Sequence, residues 1–267
     1  MIRLALAGAT GRMGKSVLEL LESDERFLLA AALEAADHPQ SGECLRLRGK
    51  EVRIASTSDS PCDALVDFTL PAGTATWLPI CRKRRIPMVI GTTGHDENQL
   101  RAIRDAAGEI PIVLASNFSV GIQAVLRALG PLIRDLGDGY DIEIVESHHR
   151  NKIDAPSGTA ITLAKAIAEA RGLDLDNDAI YGRRGKTGVR PAAQLGIHSI
   201  RMGEIVGEHE IHLSGPGETI TIRHTAHSRA TFAAGALRAA AWVVGRPPGL
   251  YTMMGVMDGA KQGSVQL

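Results

Sequence analysis

Residues 146–160, Glu-Ser-His-His-Arg-Asn-Lys-Ile-Asp-Ala-Pro-Ser-Gly-Thr-Ala, gather much of the chain's reactive chemistry into one stretch. His148 and His149 are adjacent. An imidazole exchanges protons near neutral pH, so either one suits a reduction that needs a hydride and a proton. Arg150 and Lys152 add positive charge. Pro156 suits an early helical position and Asp154 or Ser157 can cap, which predicts a helix from about Ser157 with the N–H groups of Gly158 and Thr159 pointing at an incoming carboxylate. Lys152 would supply the counter-charge. A run of solvated loop charges is the plainer reading, but a cationic cluster feeding a helix start reads better as an anion site with an acid/base group beside it.

A second constellation lies at the N-terminus. Gly8-Ala9-Thr10-Gly11-Arg12-Met13-Gly14 falls between an apolar run and an amphipathic stretch, where glycines let backbone N–H groups approach a phosphate. The spacing is Gly-x-x-Gly-x-x-Gly, so context has to decide what binds. Two readings compete. Ala9 to Ser16 is one substitution from a P-loop, with Val66-Asp67 as its Mg²⁺-binding strand end, which would make the chain an NTPase. Against this, Glu34 lies 20 residues after Gly14 and ends the second apolar run, the place where a dinucleotide fold sets the acid that receives ribose hydroxyls. The dinucleotide reading fits better. A non-catalytic dinucleotide sensor remains open beside an enzyme, because a fold alone does not specify turnover.

The elements that must position these groups follow from periodicity. Ile2 to Ala7, Phe27 to Leu33, Ala64 to Phe68, Pro87 to Ile90 and Ile110 to Ala115 read as buried strands alternating with amphipathic stretches, the pattern of βαβ units and a parallel sheet. Gly8, Glu34, Thr69, Gly91 and Asn117 fall at their carboxyl ends and mark one ligand-binding rim. After Val120 the pattern changes to a helix (Gly121 to Leu136), a strand (Asp141 to Glu146), the helix after Ser157 and a hairpin, Glu208 to Leu213 with Thr219 to His224, across Ser214-Gly215-Pro216-Gly217. An antiparallel second domain is expected. The Ala-rich stretch Arg229 to Val244 returns to helical spacing and suits packing back on the first domain.

Composition excludes several classes. The 267 residues carry 30 Lys plus Arg against 30 Asp plus Glu, so no net field draws in nucleic acid. No apolar run reaches the ~20 residues a membrane helix needs, and the short apolar start is no secretory signal, so a cytoplasmic protein is expected. Cys44, Cys62 and Cys81 lack a Cys-x-x-Cys pair and read as packing residues. They also lie outside the expected substrate domain, which removes thiohemiacetal chemistry. Tyr140, Tyr181 and Tyr251 lack a Lys four positions on, which removes a Tyr-x-x-x-Lys dyad. His209-x-x-His212 and His224-x-x-His227 put strand residues on opposite faces with no completing ligand, so no metal site is expected and these histidines read as surface groups. Arg82 to Arg85 close a predicted helix as solvated cations. Arg183, Arg184, Lys186 and Arg190 lie in a glycine-bearing loop that either closes over a dianion or is simply solvated.

Taken with Val66-Asp67-Phe68-Thr69, Gly91-Thr92-Thr93-Gly94, Ala115 to Gly121 and Gly203 to His209, these motifs closely resemble the bacterial dihydrodipicolinate (4-hydroxy-tetrahydrodipicolinate) reductase family of the lysine and diaminopimelate route, over essentially the whole length. The resemblance implies NAD(P)H-dependent reduction of a small dicarboxylate. It implies His148 as acid/base and Lys152 as proton donor, with His149, Lys152, Gly158 and Thr159 holding substrate carboxylates. For the cofactor it implies Gly8, Ala9, Thr10, Gly11, Arg12 and Met13, then Glu34, then Gly91, Thr92 and Thr93, and finally Ala115, Ser116, Asn117 and Phe118. The implied architecture is α/β: a Rossmann-like parallel sheet domain (1–118), an inserted α+β substrate and oligomerisation domain (119–228) and a C-terminal helix segment (229–267), assembled as a homotetramer. Relatives that bind NADPH well carry Arg directly after the acid and again after Asp-Phe-Thr. Here those places hold Ala35 and Leu70, so NADH is expected to be used at least as well as NADPH.

Overall fold

A computed structural model describes residues 1–259; the end of the expected segment 229–267 lies outside the described residues. In chain order the elements are β1 (Ile2–Ala7), α1 (Arg12–Leu21), β2 (Phe27–Leu33), β3 (Cys44–Leu47), β4 (Lys50–Ala55), β5 (Ala64–Asp67), α2 (Pro71–Arg84), β6 (Met88–Ile90), α3 (Glu97–Ala107), β7 (Pro111–Leu114), α4 (Val120–Leu136), β8 (Asp141–His148), α5 (Gly158–Arg171), α6 (Leu175–Asp178), β9 (Ala179–Ile180), β10 (Leu195–Arg201), β11 (Gly207–Gly215), β12 (Glu218–Ala226), α7 (Ala230–Val243), β13 (Gly249–Tyr251) and α8 (Met253–Met257). They fall into two units, Met1–Ser119 with the described chain from Arg229 onward, and Val120–Ser228.

In the first unit the apolar runs are strands because both faces of the sheet are covered. Within β1, Leu4 and Leu6 join one buried cluster while Ala5 and Ala7 join another on the opposite face. The sheet order is β13-β7-β6-β5-β1-β2-β4-β3, parallel throughout except for the β3–β4 hairpin. The connection order reverses beside β1, which has β2 on one side and β5 on the other. That is the switch point outside which open α/β sheets bind ligands. β1 and β2 have the expected bounds, and the other three expected strands are present with their ends trimmed. Helix α7 packs on this unit through Ala233, Ala236, Ala239 and Ala240. The contact is close enough that a Cβ on Gly235 would stand 1.9 Å from the Phe118 carbonyl oxygen.

The second unit is a five-stranded sheet, β12-β11-β8-β10-β9, with Leu129 and Ile133 of α4 and Leu163 and Ile167 of α5 packed with Ile144, Ile197 and Ile211. The expected antiparallel sheet is corrected here. The hairpin β11–β12 and the β11–β8 pair are antiparallel, but β10 runs parallel to both β8 and β9. Helix α5 lies in the crossover from β8 to β10, and a crossover helix is what makes a parallel pair possible.

Candidate active site

In the first unit, a cavity of about 810 Å³ opens at the carboxyl ends of β1, β2 and β5, lined among others by Gly8, Thr10, Gly11, Glu34, Phe68 and Thr69. The glycines are there for space. Gly8 has φ +78°, and a Cβ on it would lie 2.5 Å from the Phe68 carbonyl oxygen. A Cβ on Gly14 would lie 2.1 Å from the Gly8 oxygen, so the loop folds tightly onto the start of α1. The cap of α1 is Gly11, which offers no side-chain acceptor to the first-turn amides, and that turn holds no acidic residue. These are the conditions for a phosphate at a helix N-terminus. Glu34 accepts from both the amide and the hydroxyl of Thr10, at 2.7 Å each and both through Oε1. Behind them, Gln40 N donates to His38 Nδ1, and His38 Nε2 lies 3.2 Å from the Thr10 hydroxyl. The glycine loop and Glu34 are thus tied together on one rim, and the residues present fit a dinucleotide.

Asp67 decides against the P-loop reading. It is fully buried, and its carboxylate accepts from the Thr69 amide and hydroxyl and from the hydroxyls of Thr74 and Thr92. The carboxylate holds the rim turns together and is committed to protein donors. Gly91 is required next to it, because a Cβ there would lie 2.2 Å from the Phe68 ring, which packs edge-on against Phe118. Thr92 is buried, Thr93 and Ser116 are exposed, and Asn117 accepts the Ser119 amide at 2.7 Å. The expected cofactor residues therefore all lie at the carboxyl end of one sheet, in its loops or, for Arg12 and Met13, at the start of α1.

In the second unit, alternation along β8 puts Glu146 and His148 on one face of the strand. His148 Nδ1 meets Glu146 Oε2 at 2.6 Å, and Arg201 donates to both carboxylate oxygens at 2.8 Å. The Ser157 amide adds a bond to Oε1 at 3.1 Å. Burial alone would raise the Glu146 carboxyl, but the bonds from His148 and Arg201 reverse this and hold it well below the usual carboxylate range. Ser157, rather than Asp154, caps α5, accepting the Ala160 amide at 3.2 Å; Pro156 lies ahead of the helix instead of inside it. Gly158 and Thr159 occupy the first turn, where amides find no intrahelical acceptor. His149 is buried, and its amide donates to Ile205 O at 2.8 Å. The Lys152 ammonium is held by both oxygens of Asp154, 2.8 Å each.

One expectation is corrected, and two gain partners that the sequence did not show. His209 is buried rather than a surface group, with its ring 5.3 Å from that of His148 and its Nε2 3.1 Å from the Ser157 hydroxyl. Burial and then the neighbouring His148 push its pKa down to about 3, so it is neutral at physiological pH. In the glycine-bearing loop, Arg184 and Lys186 are exposed, while the guanidinium groups of Arg183 and Arg190 are paired with protein carboxylates: both bind Glu143 and Arg190 also binds Asp141. Arg82 pairs with Glu109, and Arg84 donates to the carbonyls of Ser58, Asp59 and Ser60, so this cluster pins loops as well as closing α2. Sequence reading missed Glu146 and Arg201 as functional groups. The two-residue spacing of Glu146 and His148 on a predicted strand was the available signal.

Comparison with known proteins bears on what this arrangement does. The family described as "Dihydrodipicolinate reductase, N-terminus" matches residues 2–118, and "Dihydrodipicolinate reductase, C-terminus" matches residues 121–257. The chain is 44% identical over 262 residues to the 4-hydroxy-tetrahydrodipicolinate reductase of Laribacter hongkongensis, covering 96% of this chain and 98% of that one. It is 46% identical over 262 residues to the protein of the same name from Nitrosomonas europaea, with the same coverage. Among solved structures, the dipicolinate-bound dihydrodipicolinate reductase of Paenisporosarcina sp. TG-14 matches with a TM-score of 0.70 and 26% identity, over 94% of this chain and 97% of that one.

Proposed function

The chain belongs to the dihydrodipicolinate reductase family and is an NAD(P)H-dependent oxidoreductase, and on that premise we propose a division of labour among its residues. The substrate is 4-hydroxy-tetrahydrodipicolinate or its dehydrated form, reduced to tetrahydrodipicolinate in the diaminopimelate route to lysine. The reduced nicotinamide supplies the hydride when bound in the first unit. Gly8 to Met13 receive its phosphates, Glu34 its adenosine ribose, and the turns Gly91 to Thr93 and Ala115 to Phe118 form the rest of the rim.

His148 is the acid/base. Its Nδ1 is occupied by Glu146, which leaves Nε2 to exchange a proton with substrate. A carboxylate of the substrate takes the place on Lys152 that Asp154 holds in the structure, and the ammonium then neutralises it and supports proton delivery. The first-turn amides of Gly158 and Thr159, with His149, hold the carboxylates. The observation that carries this reading is the Glu146 carboxylate, bonded to both His148 and the Ser157 amide, which joins the acid/base group to the helix start.

NADH is the better cofactor, because Ala35 and Leu70 line the cavity where a 2′-phosphate would need cations. The family resemblance supports a cytoplasmic homotetramer in which the first unit binds cofactor and the second binds substrate and partner subunits. No helix among the described residues is long and apolar enough to cross a membrane. Coupling the purified protein to dihydrodipicolinate synthase and following reduced nicotinamide absorbance tests the activity. Consumption that depends on the synthase product is expected, and none with either cofactor would overturn the reading and favour a sensor.

A further inference from the structure

We propose that Glu146, paired with Arg201, is the positioning residue that fixes which nitrogen of His148 carries the exchangeable proton, and that it locks this ring to the anion-binding start of α5. The inference rests on the reading of His148 as acid/base and adds a residue that acts through it. Glu146 is fully buried, and its carboxylate accepts from His148 Nδ1, two nitrogens of Arg201, the Ser157 amide and the Ser199 hydroxyl. An isolated carboxyl at such a depth would take up a proton, but Arg201 and His148 keep it ionised. An ionised carboxylate only accepts, so His148 must present Nδ1–H to it. Nε2 is then the site that gains and loses a proton. Room on that side comes from Gly207, since a Cβ there would approach Nε2 to 3.1 Å.

The same carboxylate reaches the substrate-binding side. Oε1 holds the Ser157 amide, Ser157 caps α5, and Arg201 also donates to the Asp154 carbonyl at 2.6 Å, fixing the loop between Lys152 and the helix. The charged and titratable groups around His148 are Glu146 on its own strand, Arg201 on β10, His209 on β11 and Lys152 on the following loop. His209 meets the His148 ring at 76° and is neutral, so it supports the imidazole without adding a second positive charge. Glu146 is then the sole anion in direct bonding contact with His148 among the described residues, and it stabilises the imidazolium during turnover.

Two measurements test this. In the unaltered protein, ¹⁵N NMR of the neutral His148 imidazole should show the proton on Nδ1; a proton on Nε2 would overturn the proposal, and no variant has to fold for this result. In E146Q the amide donates to Nδ1, so the neutral ring should move its proton to Nε2. kcat should then fall about 100-fold while NADH affinity, read by fluorescence titration, stays within about twofold. Wild-type kcat with an unchanged ¹⁵N signature in E146Q would also overturn it. If His148→Gln loses turnover while E146Q does not, the positioning role alone fails. If His148→Gln itself is fully active, the acid/base reading fails first.

Discussion

The cavity at the carboxyl ends of β1, β2 and β5 makes cofactor preference a quantitative matter. NADPH differs from NADH by one phosphate on the adenosine ribose, and Glu34, the acid proposed to hold that ribose, lines the cavity with Ala35, Ala36, His38, Ser56 and Leu70. None of these is Arg or Lys. Replacing Ala35 and Leu70 together by Arg puts two guanidinium groups on that rim. A charge-assisted bond is worth ~1.5 to 3 kcal/mol in a protected site. Both positions are exposed, Leu70 at 75%, so solvent screening takes each to about 1 kcal/mol. Two such bonds shift the NADPH-to-NADH ratio of kcat/KM by about thirtyfold, and the shift should shrink as ionic strength rises. Steady-state kinetics with both cofactors at saturating substrate and fixed salt measure it. An unchanged ratio in the double variant would refute the placement of the 2′-position. An unaltered protein that uses NADPH tenfold better than NADH would refute the preference itself.

Other consequences are open to direct measurement. Lys152→Ala should raise substrate KM and lower kcat together, because the proposed role gives one ammonium both binding and proton delivery; unchanged kcat/KM would move the anion site elsewhere. Gly235→Val should lower thermal stability by about 1 to 3 kcal/mol, because its Cβ would meet the Phe118 carbonyl oxygen at 1.9 Å, and a wild-type melting curve would show that α7 packs differently. Glu143 is held down to about 2: burial would raise it, but Arg183, His198 and Arg190 more than reverse that. The stability it contributes is therefore present above its unfolded value of about 4.5 and is lost as pH falls through about 2. Glu143→Gln should accordingly destabilise the protein near neutrality and progressively less in acid, and an equal penalty at every pH in denaturant titrations would contradict the ion-pair assignment.

The first unit was largely legible because its strands are buried on both faces and read as continuous apolar runs, each ending in a small polar residue where ligands bind. The β3–β4 hairpin was not, because Cys44 to Ala55 alternates charged and apolar residues on a largely exposed edge and carries no apolar run. In the second unit the hairpin β11–β12 showed its turn, whereas β10 follows an arginine- and glycine-bearing loop and pairs in parallel with a strand about fifty residues earlier, a partnership that no local pattern encodes. The site shows the same division. His148, Lys152 and the helix start are contiguous and could be read together. Arg201 and His209 are brought to Glu146 and Ser157 only by cross-strand register. His209 was misplaced for that reason: strand alternation gives two faces, and only the packing of α5 decides which one is buried.

The most direct test is steady-state turnover of His148→Gln in the synthase-coupled assay, with NADH affinity measured on the same preparation and folding checked by circular dichroism. A general acid/base is worth about two to four orders of magnitude, so kcat should fall by that factor while NADH binding survives. A folded variant that turns over at the wild-type rate would contradict the assignment of His148.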